Sequence, residues 1–590
     1  MRDVIVIGAG GGGAVVAKEL AERGLDVLLL EAGRWVEDPA AEWSRFENDS
    51  TNPITGYLRF GPADRSKPAW LRQTNAIILQ VAGVGGTTQH YLGNSPRAMP
   101  GVFHGYKGTD RDAYDRAHEF PFSYRSLVPY YEWVEQTLPV QTAAMGRKEE
   151  AFFRAAERAG LPHQETKDIT RNAFRPQENA ILQPEGKAGR TADPLQLVFP
   201  KAKGCTFCGH CIQGCVLPRG APRNLKAKRS TDNSYAPMAM TADHWSKHGK
   251  RATLVTQAFV TKVRTELRDG VPRASGVTWR LGTTGEEFAE DARVVVLAAG
   301  CIETPRLWLN SGLPNPNDWV GRGFTDHYLD LVIAQLPYDA GNSKGPGSAA
   351  RADFPGHGSL EHAGGLPPGL VAGLSAGSDV GTSRFDPPSW VPPAGADGVG
   401  RLVGNELKDA LSDIDRLMFL MPLTDDHVEA QNRVTLSAAY PADEHGSVPK
   451  VEFAQRSRSK RTLENRDFLA AQAVRIGRAA GARKVWRLAL PELVVHLQST
   501  MRMGHSEDDS VLDPGGEARW VKGLFVADNS ALANGIGGPN PTLTTQALAT
   551  RTAEKIFRRY FGGDPWVNSG SPVSSIDDRV STAVQESGIA

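Results

Sequence analysis

The stretch MRDVIVIGAGGGGAVVAKELAERGLDVLLLEAG, residues 1–33, reads as a strand, a glycine turn, a helix and a second strand that ends on an acid. Residues 4–7 form an apolar, β-branched run, and Gly8, Gly10 and Gly13 follow as G-x-G-x-x-G. The first glycine permits a tight turn, the second lets the backbone approach a pyrophosphate, and the third lets helix and strand pack closely. A helix opening at this turn offers unpaired N–H groups and a positive dipole end to phosphates. Glu31 stands 18 residues beyond Gly13, placed to accept hydrogen bonds from ribose hydroxyls. A glycine pattern alone is weak. Strand, helix and acid in the right order make this a dinucleotide-binding unit and the chain a candidate redox enzyme.

At 590 residues with 40% apolar content, the chain exceeds a single core and should divide into two or more lobes. Lys+Arg and Asp+Glu both number 67, so charge gives no reason to expect nucleic acid or an anionic membrane as partner. No run has the length of a membrane span, and no charged-then-apolar leader precedes the first strand. Cytoplasmic residence is therefore expected, with export on a partner subunit left open.

Helical spacing covers 124–140 and 149–160, while 255–263 and 276–280 alternate like strands. VVVLAAG, 294–300, leads to a helix expected to start at Thr304-Pro305, because proline is favoured in a first turn. Residues 34–72 are irregular. Residues 337–400 are dense in Gly, Pro and Ser without apolar periodicity, which predicts either a long mobile segment, such as a lid over the active site, or a plain surface insertion. Further strands are expected over 433–436 and 448–453, a helix over 461–480, and a loose polar tail after 563.

Of five cysteines, Cys205, Cys208, Cys211 and Cys215 crowd together as C-x2-C-x2-C-x3-C. Such thiolates can converge on one small ion or cluster, of the 4Fe-4S or 3Fe-4S kind, with zinc, free thiols and disulfides as the alternatives. In two-cluster ferredoxins the fourth cysteine of such a run serves the other cluster, and Val216 stands here in place of the following proline. No acid lies between Asp193 and Asp232, while Lys201, Lys203, Arg219, Arg223, Lys226, Lys228 and Arg229 surround the cysteines. That positive charge would offset a thiolate-bound cluster, dock an acidic electron carrier, or form an ordinary solvated face.

Four separated segments extend the reading: the N-terminal unit; GVGGTTQHYLGNSPR (83–97); AAGCIETPRLWLNSG (298–312); and HLQSTMRMG (496–504) with LFVADNSALANGIGGPNPTLTTQALATRTAEKI (524–556). In their order and spacing they resemble the glucose-methanol-choline (GMC) oxidoreductase family of FAD enzymes. The resemblance implies an α/β fold with a discontinuous Rossmann-type FAD-binding domain (1–36, 75–110, 200–330, 490–562). It also implies a substrate domain (37–74, 111–199, 331–489) made of a mostly antiparallel sheet backed by helices. FAD itself is implied by the family rather than by the glycines.

Within that resemblance, His496 is the catalytic histidine near flavin N5 and Asn540 fills a second position that is His or Asn in relatives. Oxidising an alcohol sends the carbinol hydrogen to N5 as hydride and the hydroxyl proton to a base. An imidazole suits that base role, and a neutral amide can orient the oxygen without competing for its proton. Gly85, Gly86 and Thr87 are expected flavin contacts, and Asp528 matches the acid of a second flavin motif. His90 occupies a place where some relatives bind FAD covalently; a covalent link and simple contact both stay open. Cys301 reads as a core thiol. The implied substrate is a small alcohol or sugar. An electron-accepting protein or small subunit would suit a dehydrogenase, since relatives of the gluconate and fructose dehydrogenase type combine FAD with cysteine-rich segments. An oxygen-using oxidase without a cluster and a flavin-stabilised lyase are the competing readings.

Overall fold

Residues 4–7 of β1 (Arg2–Ile7) and the whole of β2 (Val27–Glu31) are buried, as a parallel strand covered on both faces requires. Between them runs α1 (Gly13–Ala21), every residue of which is buried. The structure is a computed structural model and describes residues 1–36, 77–78, 80–187, 191, 193–215, 217–282, 285–378, 392–443, 446–452, 458–490 and 493–589. Most of the irregular 34–72 stretch lies outside these residues.

β1 pairs in parallel with β2 (Ile5 with Leu28) and with β3 (Glu287–Leu297; Val6 with Val296). The strands Thr253–Thr256 and Leu524–Val526 extend this sheet on either side, again in parallel. The first half of β3 pairs antiparallel with Val271–Leu281, which pairs with Ala258–Arg268. Among the described residues, seven strands from the beginning, middle and end of the sequence thus form one sheet.

β3 leads into α2 (Gly300–Asn310), which begins four residues before the expected start and carries Pro305 inside it. Proline there removes the N–H that would bond the Cys301 carbonyl. The Thr500 hydroxyl donates to that carbonyl instead, at 2.7 Å. The helix therefore tolerates the proline through a partner nearly 200 residues away.

The second seven-stranded sheet corrects the expectation for 337–400. Its order is Gly398–Val399, Lys484–Arg487, Val332–Gln335, Leu417–Thr424, β4 (Gly358–Ala363), Ser348–Phe354 and Ala173–Pro176. Every pairing is antiparallel except that of the first two strands. All seven residues of Ser348–Phe354 and all six of β4 are buried, so this supposedly mobile segment supplies the middle of a sheet. The helices Arg147–Arg158 and Lys460–Ala479 pack on it through Phe152, Leu469, Ala473 and Val474. The apolar helix α3 (Pro368–Gly377) also arises within 337–400 and lines a cavity.

The expected loose tail is likewise docked. Asp577 caps the helix Asp578–Glu586, whose Val580 and Val584 are fully buried in the cofactor-domain core. Asn224 donates to the Ser575 carbonyl and the Ser581 hydroxyl. Among the described residues no helix is long and apolar enough to cross a membrane.

Candidate active site

A cavity of about 640 Å³ lies between the two sheets. At one end the backbone decides its shape. Gly8 adopts φ +100°, and a Cβ on Gly12 would sit 1.6 Å from the Ala527 carbonyl oxygen; a side chain at Gly12 would fill the passage beside the strand Leu524–Val526. The N-terminus of α1 then opens directly on the cavity. Glu31, at the end of β2, lines it too, and its carboxylate accepts the N–H groups of Ala9 and Gly33, both at 2.8 Å. Gly8, Gly10, Gly86, Thr87, His90 and Asp528 are all on the wall. Gly13 and Gly85 are not. Gly13 packs against the Gly8 carbonyl, and Gly85 makes a left-handed turn against Asp232, so both shape the wall from behind.

Asp528 joins separate segments. Its carboxylate accepts from the Gly300 and Ser530 N–H groups, each at 2.8 Å, and from the Thr304 hydroxyl at 2.6 Å. The start of α2 is thereby fixed to the segment after Leu524–Val526. His90 is buried, and burial with the Lys228 ammonium pushes its pKa down to about 3. Its Nε2 has no hydrogen-bond partner among the described residues. This open, backbone-lined end, with an unpartnered imidazole nitrogen on its wall, fits a dinucleotide of the FAD type.

His496 and Asn540 meet at the middle of the cavity, Asn540 Nδ2 standing 3.3 Å from His496 Nε2. Behind His496 lies a residue that sequence reading missed. His327 Nδ1 is 2.9 Å from His496 Nδ1, and His327 Nε2 is 2.9 Å from the Gly535 carbonyl. A carbonyl only accepts, so His327 carries its proton on Nε2, which has the Gln498 amide, 3.1 Å from the same nitrogen, present its oxygen there. Burial pushes the His327 pKa down to about 3, so the ring is neutral and its Nδ1 accepts. His496 must then carry its own proton on Nδ1, which leaves Nε2 unprotonated, its lone pair facing the cavity and the Asn540 amide that donates to it. This tautomer is assigned from the partners. Burial first, then His327 and Arg351, hold the His496 pKa well below that of a free imidazole. Both rings are neutral at pH 7.

Two buried acids complete the site. Asp326 accepts the His496 N–H at 2.6 Å, and burial pushes its pKa up to about 8. Glu361, on β4, accepts from Asn94 Nδ2 at 2.6 Å and has Arg351 at 3.9 Å. Burial pushes the Glu361 pKa up to about 7, against the opposing pull of Arg351, Asn94 and Asn540. Glu361 Oε2 has no hydrogen-bond partner among the described residues. Neither acid lies in a segment whose spacing announces chemistry. The only signal was an acid and a histidine adjacent in FTDHYLD, 324–330.

The four-cysteine loop sits against the same wall. The Lys228 ammonium donates to the carbonyls of Gln89, Tyr91 and Cys211 at 2.6–2.8 Å, and Ile212 lines the cavity. The structure nevertheless does not gather Cys205, Cys208, Cys211 and Cys215 into a metal site. Among the described residues no group of three or more His, Cys, Asp or Glu side chains is placed to hold an ion, and no disulfide forms. Backbone groups occupy the sulfurs instead. Cys211 Sγ accepts from the Gly347 N–H, while Cys215 Sγ accepts from the Lys228 N–H and donates to the Leu217 carbonyl, all at 3.4 Å. Burial first, then the neighbouring Cys211 and Cys215, push the Cys208 thiol up to about 12. Cys301 is buried, as expected.

GMC oxidoreductase family models match residues 175–329 and 428–549, and an FAD binding domain model matches 3–44. The chain is 27% identical to 2-methyl-1,2-propanediol dehydrogenase of Mycolicibacterium austroafricanum, over 95% of each protein. It is 26% identical to paromamine 6'-oxidase of Streptomyces fradiae, covering 94% of this chain and 91% of that one. It is 24% identical to the fructose dehydrogenase large subunit of Gluconobacter japonicus, covering 94% and 97%. Among solved structures, pyridoxine 4-oxidase from Mesorbium loti superposes with a TM-score of 0.58 at 17% identity, covering 96% of this chain and 100% of that one. At that identity the likeness shows the fold.

Proposed function

The chain belongs to the GMC oxidoreductase family and is an FAD-dependent oxidoreductase, and from that premise we propose that it oxidises the CH–OH group of an alcohol or sugar with His496 as the base. Bound FAD supplies the two-electron acceptor for the carbinol hydrogen. The chain's own residues manage the proton. His496 Nε2 takes it from the substrate hydroxyl, and the Asn540 amide donates to the carbinol oxygen and orients it. His327, backed by the Gly535 carbonyl, holds the tautomer that keeps Nε2 unprotonated. Asp326 anchors the His496 backbone. Residues 8–12, Glu31, Gly86, Thr87 and Asp528 hold the cofactor, and no electron step is assigned to the cysteine loop.

The observation that carries this reading is the lone pair at His496 Nε2, facing a cavity whose other end fits a dinucleotide. His496→Ala should keep its yellow FAD while alcohol-dependent flavin bleaching, followed anaerobically by stopped flow, slows about 10²- to 10⁴-fold. An unchanged rate would end the base assignment. Acid precipitation of the holoenzyme separates the two roles open to His90: flavin that stays with the pellet is covalently linked, and flavin released to the supernatant was held by contact.

A further inference from the structure

The cavity has two chemically different ends. Glycine backbone, Glu31 and Asp528 form one, all carried by the cofactor domain. The second sheet and its flanking segments build the other from Leu329, Leu331, Met421 and Leu490, with Leu370 and Leu374 added by α3. Those last two are four residues apart on a helix and so share one face. Both are half-buried. Among the lining residues from 329 to 497 only Glu361 and His496 carry polar side chains, and Asn94 and Asn540 stand beside them.

We propose that this second chamber takes an alcohol whose polar atoms all lie at the reacting end and whose body is hydrocarbon. The inference rests on the assignment of His496 as the base, because that histidine fixes which end reacts. A pyranose would turn several hydroxyls toward leucine and methionine, and each hydroxyl stripped of water without a partner weakens binding by about tenfold. A hydrocarbon body gains instead, by about fourfold for each methylene removed from water, and an unbranched methionine in the wall adapts to its shape. The unpartnered Glu361 Oε2 suits a second hydroxyl next to the reacting carbon, so 1,2-diols belong to the class.

The test uses the FAD-loaded full chain and two homologous series, 1-alkanols and 1,2-alkanediols from propyl to decyl. Binding is read from perturbation of the oxidised flavin spectrum and turnover from anaerobic bleaching. Dissociation constants should fall about threefold to fourfold per methylene until the chamber fills, with D-glucose and glycerol bound at least about 100-fold more weakly than the octyl diol. Leu370→Asn and Leu374→Asn should flatten that dependence while FAD stays bound. A chain-length dependence that is flat in the unaltered protein, or glucose bleaching the flavin as efficiently as the octyl alcohols, overturns the proposal. Alcohols that bind with the expected slope but never bleach the flavin would sustain the chamber and overturn the base assignment.

Discussion

The two ends of the cavity are built by opposite means. Consecutive backbone shapes the end proposed for the cofactor: four glycines from Gly10 to Gly13 let α1 begin at the cavity wall, and one short segment does most of the work. Side chains from β4, α3 and the strands around 332, 420 and 487 shape the substrate end, and no two of these elements owe their arrangement to local sequence. A site made by backbone tolerates almost no added atoms. A site made by side chains tolerates many, and answers by changing what it binds.

Adding one methyl group to each end tests this contrast most severely. Gly12→Ala places a Cβ 1.6 Å from the Ala527 oxygen, and we expect destabilisation by about 3 kcal/mol or more, read as a lower melting temperature and colourless protein. Survival of Gly12→Ala with full FAD would break the comparison. Glu361 gives the next largest effect. Its folded pKa is raised from 4.5 to about 7, so the unfolded chain gives up the proton first, and stability falls as pH rises through that window. Glu361→Gln removes the penalty. The variant should gain about 1–3 kcal/mol over the parent at pH 8 relative to pH 5, checked by melting both proteins at the two pH values. Equal shifts would mean that the carboxyl is not held neutral.

His327→Phe sharpens the comparison at the boundary. It leaves the His496 Nδ1–H without its acceptor, and bleaching should slow by about tenfold to a hundredfold. Removing the depressing effect of His327 on His496 should also move the acid limb of the rate profile to higher pH, a readout that a packing defect alone would leave in place. The smallest effect is expected on α3. A Cβ at Gly373 meets nothing within 4 Å, so Gly373→Ala should stabilise the helix by about 0.5–1 kcal/mol, a slight rise in melting temperature.

What could be read from the sequence follows the same division. β1, α1 and β2 were legible because one contiguous stretch carries the strands and the turn between them, and Glu31, His496 and Asn540, singled out by that stretch and by the family segments, all line the cavity. His327, Asp326 and Glu361 were not legible, since each gains its meaning from a partner far along the chain. The strands Ser348–Phe354 and Gly358–Ala363 were mistaken for a mobile segment for a definite reason. Both faces are buried, so polar and apolar residues do not alternate with period two. Arg351, Asp353 and Ser359 pair with one another inside the sheet at 2.6–2.9 Å, so polar letters that look solvated belong to the core. Pro305 misled in the same way, because its cost is met by Thr500.

The strand Leu524–Val526 and the helix Asp578–Glu586 close the domain that residues 1–31 begin. During synthesis the glycine turn leaves the ribosome hundreds of residues before the wall that Gly12 must fit against. With the cofactor site as proposed, a prematurely terminated product should therefore be colourless however intact its first half. Colour in a preparation consequently reports that the carboxyl-terminal segment has been made and docked.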